Sequence, residues 1–288
     1  MDMNELRQKI NDIDDVLSGA FKKRMRVALE IAHFKKENGL PVLDSGRERA
    51  VVSRLTEGCD DTIAASMKIL YNTLFDLSRS YQHQLMQGES PLNRRIAAAL
   101  ESTPAAFPAR ALVASQGESG RQACEKLFDQ FDVMHFERLE DVFQAMASGK
   151  CRYGVVPMEN CAHGSAREVY DLLRRYGFSI VRVARLGSGA RFACIARELE
   201  IYPGADRMSL MLSLKHTPDA LQRVIARFSA LEINLNRVEY CSDTGGDEES
   251  WCCFELEVSA HSPQRAQLIC ALEASGVPLC YLGSYSEV

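Results

Sequence analysis

No stretch of the 288 residues approaches the roughly 18 consecutive apolar residues of a membrane-spanning helix, so no membrane association is expected. An excess of positive charge is also missing. With 34 Lys and Arg against 39 Asp and Glu, the net charge is −5, and nothing points to a nucleic-acid partner. The 10 cysteines form no C-x-x-C pair and scatter over the whole length. In a chain this large they read as reduced, mostly buried thiols of a cytoplasmic protein, with no metal site. The first residues, MDMNELRQKIND, are polar and acidic, so no secretory signal is expected. Low-complexity tracts and short repeats are missing too, and no alternating strand pattern occurs before residue 109.

What is present divides into three parts. Residues 4–38 read as one long helix, with Leu6, Ile10, Ile13, Leu17, Phe21, Ala28 and Ile31 at mostly 3–4 spacing and Gly39-Leu40-Pro41 as its stop. Such a helix is about 50 Å long. That exceeds what one small domain covers, so its apolar stripe is expected to pack on a second copy. Residues 46–57 and 62–87 read as two further helices. Residues 88–108, with three prolines, read as a linker holding a short helical piece.

From residue 109 strands alternate with helices. RALVASQ, DVMHFER, RYGVVPM and SIVRVARL read as strands, and QACEKLFDQF, LEDVFQAMASG and SAREVYDLLRRYG as the helices between them. This pattern predicts a parallel sheet with helices on its faces over 109–206. ARFACIARELEI adds a strand. Residues 207–288 read as βαββαβ, a ferredoxin-like arrangement, with Asp243-Thr244-Gly245-Gly246-Asp247 as the turn between its middle strands.

Charged residues mark the helical part. Arg24 and Lys35 are 11 residues apart and share a face within roughly 20°. Arg7 is turned roughly 100° away from Arg24. It therefore serves a neighbour packed alongside more easily than its own helix. Asp44, Arg47 and Glu48 stand at the start of the second helix, where Ser45 and Glu48 fit a capping box. Ser78 and Gln82 are an i,i+4 pair on the third. Singly, each reads as solvated surface or helix cap. Spacing alone predicts a helical dimer with a cationic groove.

Taken together, Arg7, Arg24, Lys35, Asp44, Arg47, Glu48, Ser78 and Gln82, in order and in register, make residues 4–87 resemble the all-helical chorismate mutase family. The resemblance implies chorismate as substrate, prephenate as product, and no cofactor or metal. It implies that Arg24 and the partner copy's Arg7 hold the two carboxylates with help from Ser78. Lys35 and Gln82 donate to the ether oxygen, Glu48 takes the ring hydroxyl, and Asp44 and Arg47 order the loop.

The middle part resembles prephenate dehydratase through SQGESG, YGVVPMENCAHGS, VYDLL and ARFACIARELEIYPGAD. It departs from that family at its chemistry. Gly120-Arg121-Gln122 follows a shortened turn that lacks the family's aromatic and Ser. Glu159-Asn160-Cys161-Ala162-His163-Gly164 has lost two hydroxyls, and Ala190 precedes Arg191-Phe192 where the family has a catalytic Thr. Only about 17 residues separate Leu173 from Arg191, so the family's second lobe is expected to be absent. The dehydratase part is therefore read as inactive.

Residues 207–288 resemble the ACT regulatory domain. Its amino-acid site is expected near Asp219, Ala220, Leu221 and Glu239, with Asp219 in place of a glycine and Cys241 in place of an arginine. A carboxylate beside the pocket repels a ligand's own carboxylate, so phenylalanine is expected to bind weakly. An aromatic amino acid effector and ACT pairing into a higher oligomer are the further expectations. The composite reading is a multidomain α and α/β chain: a chorismate mutase dimer domain at 1–87, a reduced dehydratase-like domain and an ACT-like domain. Two alternatives stand beside it: an active mutase–dehydratase and a non-catalytic sensor or partner-binding protein.

Overall fold

The computed structural model describes residues 2–87, 90–159, 166–217, 220–242 and 249–288. The chain forms two compact units, Met1–Ser90 and Pro91–Val288. Among the described residues no helix is long and apolar enough to cross a membrane.

The first unit is three helices, α1 (Met3–Glu37), α2 (Ser45–Thr56) and α3 (Asp61–Gln87). α1 runs unbroken because its apolar residues keep helical spacing and no proline interrupts them. It ends where Gly39 takes a left-handed φ of +63°. In its second half Met25, Ala28 and Ala32 are buried. The other apolar residues of its stripe stay open: Ile10 is 57% exposed and Val16 71%. The start of α2 differs from the expected capping box. The N-cap is Asp44, whose carboxylate accepts the Arg47 backbone N–H at 3.0 Å. An anionic cap at that position also complements the helix dipole. Glu48, freed from capping, pairs elsewhere.

The second unit opens with α4 (Pro91–Ser102), the helical piece expected in the linker. It is packed rather than free. Ile96 and Ala99 are buried in the core of the C-terminal sheet, and Asn93 Nδ2 donates to the Ala266 carbonyl at 2.9 Å. The first sheet has the order β2-β1-β3-β5-β4, built from β1 (Arg110–Gln116), β2 (Gln130–Phe136), β3 (Tyr153–Pro157), β4 (Ser179–Arg185) and β5 (Arg191–Ala196). Helices α5 (Gly117–Leu127), α6 (Leu139–Ala147) and α7 (Ala166–Tyr176) connect and cover it. The expected all-parallel sheet is corrected at one strand. β5 runs antiparallel to both β3 and β4. The β4–β5 connection is a tight turn closed by the Leu186 N–H on the Ala190 carbonyl at 2.8 Å, and a parallel crossover needs a dozen residues or more.

The second sheet has the order β7-β8-β6-β9, antiparallel throughout, from β6 (Arg207–Lys215), β7 (Asn234–Ser242), β8 (Glu249–Glu257) and β9 (Leu279–Tyr285). Helices α8 (Ala220–Ala230) and α9 (Pro263–Ala274) pack with α4 over one of its faces. Its other face contributes Met211, Cys253, Leu282 and Tyr285 to a core shared with Tyr170 and Leu173 of α7. The expected turn at 243–247 lies outside the described residues. Past β9, the Val288 N–H donates to the Val183 carbonyl at 2.9 Å, and the Val183 N–H to Ser286 at 3.0 Å, extending the first sheet beside β4.

Candidate active site

Arg24 comes from the buried half of α1. Its Nη1 donates to the Leu74 carbonyl at 3.1 Å and to Ser78 Oγ, both on α3, and its guanidinium lies 5.5 Å from the centre of the Phe75 ring. Ser78 is buried and donates its own hydroxyl proton to the Leu74 carbonyl at 2.8 Å. Burial lowers the pKa of Arg24, while the nearby Tyr71 and Glu48 raise it less. Guanidinium remains cationic throughout the physiological range. One turn beyond Ser78, Gln82 is buried, and its Oε1 has no hydrogen-bond partner among the described residues. An orphaned buried amide oxygen costs about 1–3 kcal/mol unless a ligand satisfies it.

Lys35 Nζ donates to the Val42 carbonyl at 2.7 Å, which ties the last turn of α1 to the loop before α2. Asp44 and Arg47 are exposed and meet through the helix cap. Glu48 forms an ion pair with Arg79 of α3, and Arg79 pairs with Asp76 on its other side. Arg7 lies on the exposed first half of α1. The chain thus brings Arg24, Ser78, Gln82 and Glu48 to the α1–α2–α3 contact, and leaves Arg7 at an open surface. Arg79 was missed from sequence. Its signal was an i,i+3 pairing with Asp76 one residue away from Ser78.

The residues of the middle part meet a different fate. Arg191 is 5% exposed. Its two Nη atoms grip Glu255 of β8 at 2.7 and 2.9 Å, and Nη2 also meets Glu287 at 2.7 Å. Burial lowers its pKa, but the two carboxylates together drive it well above the usual guanidinium value. Arg207 and Arg185 complete the cluster around Glu255 and Glu287. No second lobe stands between α7 and β5, since β4 and a tight turn fill that interval. Glu159 pairs with Arg237 at 3.2 Å, and residues 160–164 lie outside the described residues. Of the expected effector positions, Ala220 and Leu221 pack half-buried at the first turn of α8, and Glu239 is held at 2.5 Å by Arg237. Asp219 lies outside the described residues. Cys241 is buried, its Sγ 3.5 Å from the Glu239 carbonyl.

Comparison with known proteins divides the chain the same way. The chain is 30% identical over 185 residues to the bifunctional chorismate mutase/prephenate dehydratase of Escherichia coli K12, covering 61% of this chain and 45% of that protein. It therefore spans about half the length of such curated relatives. The chorismate mutase of Methanocaldococcus jannaschii is 24% identical over 96 residues, 32% of this chain and 94% of that one. Among solved structures, prephenate dehydratase from Streptococcus mutans aligns with a TM-score of 0.53 at 23% identity, covering 62% of this chain and all of that one. A structure titled as a quorum quenching acylase, GqqA, also aligns at 0.53, so this likeness shows the fold alone. By family models, residues 6–83 match chorismate mutase type II and residues 113–187 match prephenate dehydratase.

Proposed function

We propose that the chain is a cytoplasmic chorismate mutase whose dehydratase-like part has lost its reaction. The observation that carries the reading is Arg24, half-buried at the α1–α3 contact and held by a carbonyl and the Ser78 hydroxyl rather than by a carboxylate, with Gln82 buried one turn beyond Ser78. The rearrangement of chorismate to prephenate is an intramolecular pericyclic shift. It needs no nucleophile and no general base. It needs a flexible dianion held in one reactive conformer, an orientational task. Arg24 and the partner copy's Arg7 take the carboxylates as bidentate forks, with Ser78 fixing the first. Lys35 and Gln82 donate to the ether oxygen as the bond breaks and charge grows on it. One such preorganised donor is worth about 3–4 kcal/mol. Glu48 accepts the ring hydroxyl, and Asp44 and Arg47 hold the loop.

Loss of dehydration is supported by Ala190 at the position of a catalytic Thr, by the missing lobe, and by Arg191. A guanidinium whose Nε and both Nη atoms already hold Glu255 and Glu287 is poorly placed to grip a substrate carboxylate as a fork. The βαββαβ region, ferredoxin-like in its strand order, is read as an ACT-like module. Its proposed ligand position is near Asp219, Ala220, Leu221 and Glu239, and phenylalanine binds there weakly. ACT pairing into a higher oligomer belongs to the same proposal.

One assay tests the catalytic and effector readings. Purified protein is given chorismate while prephenate and phenylpyruvate are followed, with phenylalanine, tyrosine and tryptophan each titrated in. Prephenate without phenylpyruvate, and little response to phenylalanine, are expected. No prephenate sinks the mutase reading and favours the sensor. Enzyme-dependent phenylpyruvate restores the bifunctional one, and strong phenylalanine inhibition overturns the effector reading.

A further inference from the structure

Resting on the mutase reading, we infer that Arg79 is a positioning residue that keeps Glu48 on the substrate side and off Arg24. Arg79 precedes Gln82 by three, so the two are neighbours on one face of α3, with Ser78 roughly 100° round the helix from Arg79. Its guanidinium bridges two carboxylates, Glu48 from the first turn of α2 and Asp76 one turn back on α3. The side chain of Arg79 is 15% exposed and that of Asp76 13%, whereas Glu48 is 27% exposed. The anchor is therefore the buried member and Glu48 the one with room to move.

Glu48 also lies close enough to Arg24 for its charge to be felt there. That proximity creates a competition. Among the described residues, Arg24 has neutral hydrogen-bond partners, a carbonyl and a hydroxyl. An untethered Glu48 would be drawn towards it, because opposite charges in a half-buried site attract more strongly than in water. Such a pair would close the fork that must receive a substrate carboxylate, and would pull Glu48 from the ring hydroxyl. Arg79 removes both losses by giving Glu48 a charged partner on its far side, and Asp76 fixes the direction of Arg79. Arg79 donates through a rigid planar fork to two acceptors at once, a geometry that lysine's single ammonium reproduces only in part.

The test is a double-mutant cycle on the full chain. Arg79→Ala is expected to lower kcat/KM by about 10- to 100-fold, with KM raised because Arg24 is occupied. Arg79→Lys should recover part of the loss. In a Glu48→Gln background, Arg79→Ala should cost less than about threefold, since a neutral amide does not compete for Arg24. A residue that merely stabilises the helices would cost the same in both backgrounds. Native-like kcat/KM for Arg79→Ala, or equal losses in both backgrounds, overturns the inference while native turnover leaves the mutase reading intact. An inactive native protein sinks both. Thermal melts of each variant separate unfolding from misplacement.

Discussion

Two arginines in this chain show how one residue type is turned to opposite ends. Arg24 is half-buried among a carbonyl, a hydroxyl and an aromatic ring, so its charge is desolvated but not neutralised. Arg191 is buried, and its Nε and both Nη atoms are engaged by Glu255 and Glu287. The proposed anion site uses the first arrangement, and the second is a structural cross-link. Arg24→Ala and Lys35→Ala should therefore each lower mutase turnover by on the order of several hundredfold, because each deprives the transition state of a cationic partner. Arg24→Lys should remain well below native, because an ammonium cannot grip a carboxylate through two parallel bonds. Steady-state rates with chorismate check both. Turnover within a few-fold of native for Arg24→Ala would move the carboxylate site elsewhere.

Among the elements, the segment past β9 has the clearest consequence. Gly283 lies where an added Cβ would collide with the Ile180 carbonyl, so β9 touches β4 at a point that admits only glycine. Residues 286–288 then run beside β4, carrying Glu287 to Arg185 and Arg191. Burial raises the pKa of Glu287, but the two arginines outweigh it and hold the carboxyl below its usual range. The sign follows from linkage. A depressed folded value means stability that is complete above about pH 4.3, the free carboxyl value, and lost as pH falls through the folded value. Glu287→Gln should cost about 1–3 kcal/mol near neutrality. The gap between native and variant should hold from pH 6 down to about 4.3 and narrow as pH falls further, followed by calorimetry of the full chain. A gap that stays constant with pH would remove Glu287 ionisation from the account. These interactions also show what sequence could and could not reveal. Helices and strands are legible because their apolar spacing is local, whereas Arg24, Ser78 and Gln82 stand out only through the resemblance of the whole residue set, since spacing alone leaves each as solvated surface or cap. The Arg79–Glu48 pair spans 31 residues, and the bonds from Arg191 to Glu255 and Glu287 span 64 and 96. Topology alone makes such partners neighbours. The antiparallel β5 and the Asp44 cap were missed for smaller reasons, a short turn and a one-residue shift in the cap.

At the scale of the molecule, the first helix poses the largest unsolved packing problem. Ile10, Ile13, Val16 and Leu17 of α1 are each more than half exposed in the single chain, and Phe21 and Ile31 more than a third. An exposed apolar row of that length is what an association surface looks like, and the proposed partner for it is a second copy of the chain. Arg7 stands on the same exposed stretch, away from Arg24, Ser78 and Gln82 of its own chain. A two-fold pairing of α1 with a second copy would bury the row and carry each Arg7 to the other copy's Arg24, giving two sites built from both chains. The arithmetic of mixing then makes a sharp prediction. Arg7→Ala and Arg24→Ala should each be nearly inactive alone. Co-refolded in equal amounts, about half the dimers are hybrids, and each hybrid has one intact site and one lacking both arginines, so roughly a quarter of native activity should return. Sedimentation equilibrium of the same mixture shows whether dimers are present. Dimers without recovered activity would mean that each site is complete within one chain, and monomers would mean that the exposed row of α1 serves some other partner.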